Sequence, residues 1–277
     1  MDELNVRGKR DWVQRSDNTI RIDGEGKKMS EILSIYESYI ESGFDLSIEE
    51  IAAYISSSYR FALQEIKPHI PHIGVTQTIR IAVMRELERT GREMEMYKLQ
   101  LLQKRILLDR ASFEAFMLDR MSKEQKFAVI PFEQFTTHPN YEVLVEVVPD
   151  NSRHLGILRR ASLDVHKEAW KAPLDVNPVR TLPDQLLSLQ DLKKLRGFRH
   201  NVEAYHHVNM NGVNKYRFGN MVRYNLVEFE TNRDMIPIPY GHNERDAVGR
   251  VLEHGIATEN LKKAVREVGK MAKAMRL

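Results

Sequence analysis

The chain has 277 residues, of which 42% are hydrophobic and 29% are charged. This length is enough for one large or two ordinary domains with a proper core. The 42 basic and 39 acidic residues give a formal net charge of only +3. Net charge therefore gives no support for nonspecific binding to a polyanion, which only local basic patches could provide.

Cysteine is absent from the sequence, which excludes disulfides, thiolate metal sites and cysteine nucleophiles and suits a reducing compartment. No stretch approaches the roughly 18 uninterrupted apolar residues of a membrane span. The N-terminus lacks the apolar segment of a signal peptide. We therefore expect a soluble, cytoplasmic protein without a membrane partner.

Residues 1–28 are polar and mixed in charge, and we expect a flexible, mostly extended arm with a short strand at Thr19–Ile22. The arm contains a basic run, Arg7, Lys9 and Arg10. A basic N-terminal arm can lie along a nucleic-acid groove. A loosely ordered terminus is the alternative.

Residues 29–67 predict three consecutive helices. Ser30–Ser42 carries apolar residues at helical spacing, and Gly43 is placed to end this helix. Ser47 and Glu50 have the spacing of a capping box for a second, short helix. The apolar face of this second helix is Ile48, Ile51, Ala52 and Ile55. Serines at 56–58 then offer another N-cap, and a third helix continues until Pro68 stops it.

Between Asp45 and Lys67 the chain resembles the generic helix-turn-helix superfamily, with Ala52 and Ala53 where two helices would cross closely. The resemblance implies that the helix at Ser58–Lys67 reads DNA. Its side chains able to face DNA are Arg60, Gln64 and Lys67. Every charged residue from 30 to 50 is acidic, so a protein-contacting or scaffold role stays open.

A rival recognition helix is predicted from its cap at Thr76 to Thr90, which completes a helix-turn-helix domain over 29–90. Gln77 and Arg80 in its first turn suit phosphates or base edges, although a solvated face is the alternative. Ahead of this helix, two histidines at 69 and 72 are separated by Pro71. Since no acidic partner is near them, we expect a linker there and no metal site.

Residues 92–121 contain neither proline nor glycine and keep a helical apolar pattern. We therefore expect one long oligomerisation helix over 91–122, packed against its own copies or against a second domain. A strict heptad pattern is not sustained, so a bundle is favoured over a coiled coil.

The chain changes character after Ser122, and 123–277 predicts an α+β domain. Tyr141–Val148 alternates with period two, which indicates a strand, and Leu155–Leu158 is its candidate partner. Further on, Ser188 caps a short helix that ends at Gly197.

Asn211-Gly212 predicts a tight hairpin turn, because a type I′ turn needs positive φ at both central residues. This hairpin would place Tyr205 opposite Phe218, with Met221–Phe229 as a third strand. An aromatic and basic sheet of this kind could stack RNA bases. Packing of the aromatic face against helices is the alternative.

The last part of the chain predicts two helices, Glu244–Glu253 and Glu259–Met275, separated at Gly255. In the second of them the residues expected to face inward are Leu261, Val265, Val268 and Met271. The opposite side is the most concentrated basic surface of the sequence and a candidate contact for nucleic-acid phosphates. Its residues are Lys262, Arg266, Lys270 and Lys273.

The predicted fold is therefore α+β and mainly α, with an N-terminal trihelical unit, long central helices and a small C-terminal antiparallel sheet with flanking helices. The sequence contains no GxxxxGK[ST], GxGxxG, GxSxG or HExxH pattern. We therefore expect no enzymatic activity, no catalytic residues and no cofactor.

The leading interpretation is a DNA-binding regulatory or replication-associated protein that acts on double-stranded DNA as a homo-oligomer. The alternative is a non-enzymatic viral or phage assembly or DNA-packaging component. Small subunits of viral terminases are similar in outline, since a long self-associating helix follows their helix-turn-helix. RNA binding through the C-terminal sheet is a third alternative.

Overall fold

The structure is a computed structural model that describes residues 12–14, 19–22, 27–125, 127–165, 175–239 and 243–275. It confirms an α+β fold that is mainly α. The chain divides into two compact units, the first comprising 1–120 with 180–182 and the second 121–179 with 183–277. The basic run predicted in the N-terminal arm, Arg7, Lys9 and Arg10, lies outside the described residues.

The first unit combines helices with a five-stranded sheet of order β1-β2-β4-β5-β3. Its elements in chain order are β1 (Trp12–Gln14), β2 (Thr19–Ile22), α1 (Met29–Glu41), β3 (Phe44–Ser47), α2 (Ile48–Tyr54), α3 (Tyr59–Phe61, continued by a π-helical turn at Ala62–Ile66), β4 (His72–Gly74), α4 (Gln77–Thr90), α5 (Met96–Leu102), β5 (Ile106–Asp109) and α6 (Arg110–Arg120). Strand β2 pairs with β4 in parallel, and the other pairs are antiparallel. The short strand predicted in the N-terminal arm is confirmed as β2.

The predicted helix starts of the first unit are confirmed by their hydrogen bonds. The Ser47 hydroxyl accepts from the backbone N–H of Glu50, while the Glu50 carboxylate accepts from that of Ser47. Ser58 and Thr76 cap α3 and α4 in the same way. The core lies mainly between α1 and α4, where buried Tyr36 donates its hydroxyl hydrogen to the Lys98 carbonyl at 2.8 Å. Burial raises the pKa of the Tyr36 phenol.

The single long helix expected over 91–122 is wrong. Helix α5 ends at Leu102, and the chain then forms β5 before α6 begins at Arg110. Leu107 and Leu108 are completely buried in β5, which pairs with both β3 and β4. A short apolar run fits a buried strand as well as a helix. Here the run forms a strand, because it pairs with β3 on one side and with β4 on the other.

The described residues of the second unit form a five-stranded and a two-stranded sheet, and hydrophobic clusters pack in this unit. Its elements are β6 (Met121–Gln125), β7 (Phe127–Pro131), α7 (Phe132–Thr136), α8 (Asn140–Val147), α9 (His154–Val165), β8 (Asp175–Pro178), β9 (Leu186–Leu187), α10 (Leu189–Arg196), α11 (Asn201–Met210), β10 (Lys215–Phe218), β11 (Met221–Asn225), α12 (Leu226–Thr231), β12 (Met235–Pro239) and α13 (Glu244–Ala274). One sheet is antiparallel with order β8-β6-β10-β11-β9, and β7 pairs with β12 in the other. The helix predicted between Ser188 and Gly197 is confirmed as α10.

The strand predicted at Tyr141–Val148 is wrong, because these residues lie in and directly after helix α8. Tyr141, Leu144 and Val148 are also spaced i, i+3 and i+7, so one face of a helix can bury them together. Leu144 is fully buried in a cluster with α9 and α13. The predicted partner strand at Leu155–Leu158 is likewise part of a helix, α9.

The hairpin turn predicted at Asn211-Gly212 is also wrong, since these residues end helix α11. Gly212 has a left-handed backbone with φ +60°, which is common for the residue just after a helix. Its N–H bonds to the Asn209 carbonyl, and the Val213 N–H bonds to the Val208 carbonyl. This pair of bonds is the Schellman motif of helix C-termini. A hairpin does follow, but it joins β10 to β11 around Gly219, so Phe218 pairs with Met221 and not with Tyr205.

Two predictions near the C-terminus need correction. The third strand is shorter than expected, because the Asn225 side chain accepts from the Val227 N–H and starts α12. The two terminal helices are one continuous helix, α13. Gly255 does not break it. Instead it lies against Ile157 and Ala161 of α9, where a larger residue would have less room.

Candidate nucleic-acid interface

The stretch that resembles a helix-turn-helix in sequence forms two short helices joined by a turn in the first unit. Helices α2 and α3 are joined by four residues, 55–58. Ser56 in this turn is left-handed with φ +48°, and the Ser57 N–H bonds to the Ala52 carbonyl at 2.8 Å. Strands β3, β5 and β4 lie side by side, and α4 and α5 occupy the connection between β4 and β5. Helices α1, α2 and α3 thus belong to a unit that also contains this sheet and the helices α4, α5 and α6.

Two of the predicted DNA-contacting residues lie together on α3. Arg60 and Gln64 are exposed, and the Arg60 Nε donates to the Gln64 side-chain oxygen at 3.1 Å. Lys67 follows in a 3-10 turn and is half-buried. The same helix carries Glu65, which is also exposed. This face is therefore only weakly basic.

The rival recognition surface on α4 is partly engaged within the fold. Gln77 is exposed in the first turn. Arg80, in contrast, is half-buried and donates from Nη2 to the Lys104 carbonyl at 3.0 Å. Its Nε atom is buried without a hydrogen-bond partner. Arg80 therefore holds the connection before β5 in place, and its expected role as a free DNA contact needs correction.

A second helix-turn-helix lies in the second unit, where the sequence had indicated a hairpin. Helices α10 and α11 are joined by residues 197–200, starting at left-handed Gly197. Strand β9 precedes them and the β10–β11 hairpin follows. From β9 to β11 the order strand, helix, helix, strand, strand is the same as from β3 to β5, except that α4 and α5 separate β4 from β5 in the first unit. In both units the strand before the two helices pairs with the last strand, which pairs in turn with the strand after the helices.

Helix α11 presents one face to the core and leaves the other in solvent. Ala204 and Val208 are fully buried. Its exposed residues are Asn201, Val202, Glu203, His206 and His207. The Glu203 carboxylate accepts from the backbone N–H groups of Arg199 and His200, which ties this acid to the start of the helix.

The second helix-turn-helix is distinctly basic. Residues 186–225 contain seven basic side chains against two acidic ones, a net charge of +5. The basic residues are Lys193, Lys194, Arg196, Arg199, Lys215, Arg217 and Arg223. When only the first strand and the two helices are compared, residues 186–210 have four basic and two acidic side chains, whereas residues 44–69 of the first unit have two basic and four acidic ones. Electrostatic attraction to phosphates is therefore concentrated in the second motif.

These basic side chains differ in how far the fold engages them. Lys194 and Arg199 are exposed. Arg217 is also exposed and pairs with Glu124 of β6, which raises the pKa of its guanidinium group. Arg196 pairs with Glu230 and lies over the Phe229 ring. Lys194 and Arg199 thus combine charge with accessibility.

The hairpin is held to the body of the unit by one carboxylate. Glu228 of α12 accepts from the Tyr216 hydroxyl at 2.6 Å and from the Asn214 backbone N–H at 3.0 Å. Lys123 lies 3.6 Å from the same carboxylate. Because Tyr216 is only 5% exposed, this charge-assisted contact fixes the strand at its buried side.

His207 lies at the junction of the two helices. Its ring stacks on Phe198 of the turn with 4.6 Å between ring centroids. Although His207 is exposed by its surface area, its ring is partly desolvated, and this desolvation, together with the neighbouring His206 and nearby arginines, lowers the pKa of His207. The imidazole is therefore held preferentially in its neutral form.

The aromatic RNA-stacking surface considered for the sheet is not accessible. Tyr216 and Tyr224 are 5% and 4% exposed, and burial raises the pKa of Tyr224 to about 12. Phe218 is half-buried. Stacking requires exposed ring faces, so these rings serve the core of the unit.

The basic stripe of α13 lies on a helix whose last turns are exposed on both sides. Leu261, Val265 and Val268, expected to face inward, are 66%, 63% and 65% exposed. Met271 is exposed as well, so this expectation was wrong. The second unit buries only the first part of α13. On the basic side, Lys262 pairs with Glu259 and Lys270 with Glu267, while Arg266 and Lys273 are exposed.

Within the described residues no group of three or more His, Asp or Glu side chains is arranged to hold a metal ion. His69 stacks on Phe116, and His72 is buried with Nδ1 3.0 Å from the Ile70 carbonyl oxygen. None of the described helices combines the length and apolar character needed to cross a bilayer.

Comparisons with protein-family models, with curated proteins and with solved structures gave no match to the chain.

Proposed function

We propose that this protein binds double-stranded DNA through its two helix-turn-helix motifs, as expected of a regulatory or replication-associated protein. The observation that carries the proposal is the net charge of +5 over residues 186–225 of the second motif, which comes from basic side chains on α10, on the turn after it and on the β10–β11 hairpin, before and after α11 in the chain. A helix-turn-helix uses its second helix in the major groove. Phosphate contacts on either side fix its register.

In this proposal α11 is the principal reader. Its exposed first turn and outer face carry Asn201 and His206, whose side chains can hydrogen-bond base edges. Lys194 and Arg199 flank the start of the helix and contact phosphates. Arg217 on the hairpin provides a third phosphate contact, with Glu124 holding its guanidinium group in place.

The first motif contributes a weaker contact. Arg60, Gln64 and Lys67 on and after α3 can reach a phosphate backbone, but the surrounding acids leave little net attraction. Two motifs in one chain raise the effective concentration of each once the other is bound. The first motif therefore adds to the affinity more than to the sequence preference.

Self-association is assigned in this proposal to the end of α13. Leu261, Val265, Val268 and Met275 are exposed and spaced by four and three residues, with Ala272 completing the series. This is the a/d spacing of a coiled coil over about two heptads. The charges at 263, 266, 267, 270 and 273 fall on the b, c and f positions, which face away from a partner helix. Lys262 falls on an e position beside the seam, where it is paired with Glu259 of its own helix. Most positive charges of the two copies are thus kept away from the seam.

The same exposed face also suits the second candidate function, a non-enzymatic component of a phage DNA-packaging or virion assembly. Exposed apolar faces of this kind mark association sites. The two candidates predict different results for duplex DNA. The regulatory or replication-associated protein must bind duplex, whereas an assembly component must form a stable oligomer whether or not it binds duplex.

Fluorescence anisotropy with a labelled mixed-sequence duplex and with single-stranded RNA, at two salt concentrations, tests the proposal. We expect duplex binding that weakens steeply with salt and exceeds RNA binding. Light scattering on the same sample gives the oligomeric state. A stable oligomer that binds neither nucleic acid would overturn DNA binding and favour the assembly component.

A further inference from the structure

The second unit contains a cleft outside its helix-turn-helix. It lies where the start of α9 and the residues before it face the middle of α13, and its volume is about 520 Å³. Its charged lining residues are Asp150, Arg153, Arg160, Glu259, Lys262 and Arg266. Pockets for small organic ligands have volumes of about 300–1,000 Å³, so the cleft is large enough for a molecule of nucleotide size.

The charges of the cleft do not cancel. Four of its lining residues are basic and two are acidic. Arg153 is paired with Asp150 at 2.9 Å, and Lys262 is paired with Glu259. Arg160 and Arg266 are both exposed, and neither has an ion-pair partner in the described part of the chain. Two guanidinium charges, from two different helices, are thus left uncompensated at one cleft.

The remaining wall of the cleft is apolar. It is formed by Val147, Val148, Pro149 and Ile157. Gly156 also lines the cleft, and no atom lies within 4 Å of where its side chain would begin, so the wall is open at this point. A cleft with excess positive charge and an apolar wall matches a ligand with an anionic group attached to a flat, weakly polar ring system.

We propose that this cleft binds a nucleoside phosphate, with Arg160 and Arg266 on the phosphate group and the apolar wall against the sugar and base. A terminal phosphate monoester has a second pKa of about 6 and therefore carries close to two negative charges at neutral pH. It matches two guanidinium groups, which prefer planar, bidentate contacts with phosphate oxygens. A phosphodiester within a DNA strand carries only one charge per phosphate. The chemistry thus favours a phosphate monoester, from a free nucleotide or from a 5′-phosphorylated strand end.

Isothermal titration calorimetry on the full chain tests this site with adenosine 5′-monophosphate, adenosine and inorganic phosphate as separate probes. We expect one molecule of the monophosphate per chain, and binding of adenosine weaker by about tenfold or more, since charge-assisted contacts are lost. A 5′-phosphorylated oligonucleotide, compared with the same strand without the phosphate, separates the two sources of the monoester. Equal binding of adenosine and its monophosphate, or binding of neither monoester at millimolar concentration, would overturn the proposal.

Matched variants locate the site. Arg160→Gln and Arg266→Gln each remove one exposed charge from the cleft, and each is expected to weaken binding of the monophosphate about tenfold. Lys270→Gln and Lys273→Gln, which remove charges from α13 outside the cleft, serve as controls and are expected to leave binding unchanged. Circular dichroism checks that each variant is folded. Equal losses in cleft and control variants would contradict a defined site.

Duplex DNA titrations on the same variants show whether the cleft and the DNA-binding surface are separate sites. If DNA affinity falls in the cleft variants and the monophosphate does not bind, the cleft contacts the DNA backbone and the nucleotide proposal is wrong. If Lys194→Ala with Arg199→Ala leaves monophosphate binding intact while duplex binding is lost, the two sites are separate. Failure of DNA binding by the whole chain would leave the nucleotide result standing.

Discussion

Gly212 at the end of α11 lies against Val129 of β7, so close that a Cβ on this glycine would be 2.6 Å from Val129 Cγ1. A Cβ would also lie 3.1 Å from Pro237 Cβ in β12. The two-stranded β7–β12 sheet therefore positions the end of the proposed recognition helix. Only glycine satisfies both the left-handed backbone and the close approach at this position.

Gly212→Ala is expected to destabilise the protein by about 2–4 kcal/mol, combining the cost of a left-handed alanine with that of overpacking. Gly219→Ala is the matched control. Gly219 is also left-handed, with φ +54°, but nothing lies within 4 Å of its Cβ position. The control should cost about 1 kcal/mol. Urea unfolding measures both, and equal losses would mean that the packing against Val129 is not as tight as described.

Glu228→Ala is expected to destabilise the second unit by about 2–3 kcal/mol, because the buried Tyr216 hydroxyl loses a charged acceptor and the Asn214 N–H loses its partner. Glu133→Ala, at an exposed glutamate on α7, should change stability by less than about 0.5 kcal/mol. Thermal or urea unfolding followed by circular dichroism distinguishes them. A loss no larger than that of the control would show that Glu228 does not anchor the hairpin.

Acidification should destabilise the protein partly through His207. Partial desolvation of the ring lowers the pKa of His207 in the folded state, so the unfolded state binds more protons once the pH falls below the ordinary value of about 6.5. The stability that the neutral His207 ring contributes is fully present above that pH and is lost as the pH falls through the pKa of the folded state. His207→Gln should therefore lose less stability than the wild type between pH 8 and pH 5. Parallel urea titrations measure this difference, and identical slopes would contradict it.

Val265→Asp with Val268→Asp should shift self-association toward the monomer. Both side chains are exposed in the described structure, so the fold should be unaffected while the apolar seam is interrupted by charge. Lys263→Asp changes a charge on the face away from the seam and serves as a control. Light scattering over a range of concentrations measures the shift. A wild-type chain that is monomeric throughout, or a double variant that associates as before, would rule out this seam.

Local signals in the sequence were sufficient wherever a helix start is decided by its own side chains. Ser47 with Glu50, Ser58, Thr76 and Ser188 all cap helices where predicted. Each of these caps is a bond between a side chain and the backbone three residues later, so it depends little on tertiary contacts. The helical part of the predicted α+β class follows from these signals.

Patterns that depend on distant partners were misleading. Alternating valines at 143–148 fit a strand by their period, but Leu144 is buried against other helices. Asn211-Gly212 is equally suited to a hairpin and to a helix C-terminus, since both use positive φ. The choice depends on the helix before it. His206 and His207, which a strand would place on opposite faces, are both exposed on one helix.

The second helix-turn-helix was missed because the residues before Asn211 were predicted as a hairpin strand, although its sequence carries a usable signal. Ser188 caps α10, Gly197 ends it, and Ala204 and Val208 are spaced by four residues within α11. Reading 201–210 as a helix would have completed the motif. The exposed seam of α13 could not be predicted, because its apolar spacing is the same whether or not a core covers it.

The proposed role of the second motif as the principal DNA reader is tested most directly by two charge-matched double variants titrated against the same labelled duplex. Lys194→Ala with Arg199→Ala removes two positive charges beside α11, and Arg60→Ala with Lys67→Ala removes two from the first motif. We predict that the first pair weakens binding by about tenfold or more, and clearly more than the second pair. An equal or larger loss for the Arg60 and Lys67 pair would contradict the assignment of the reading helix.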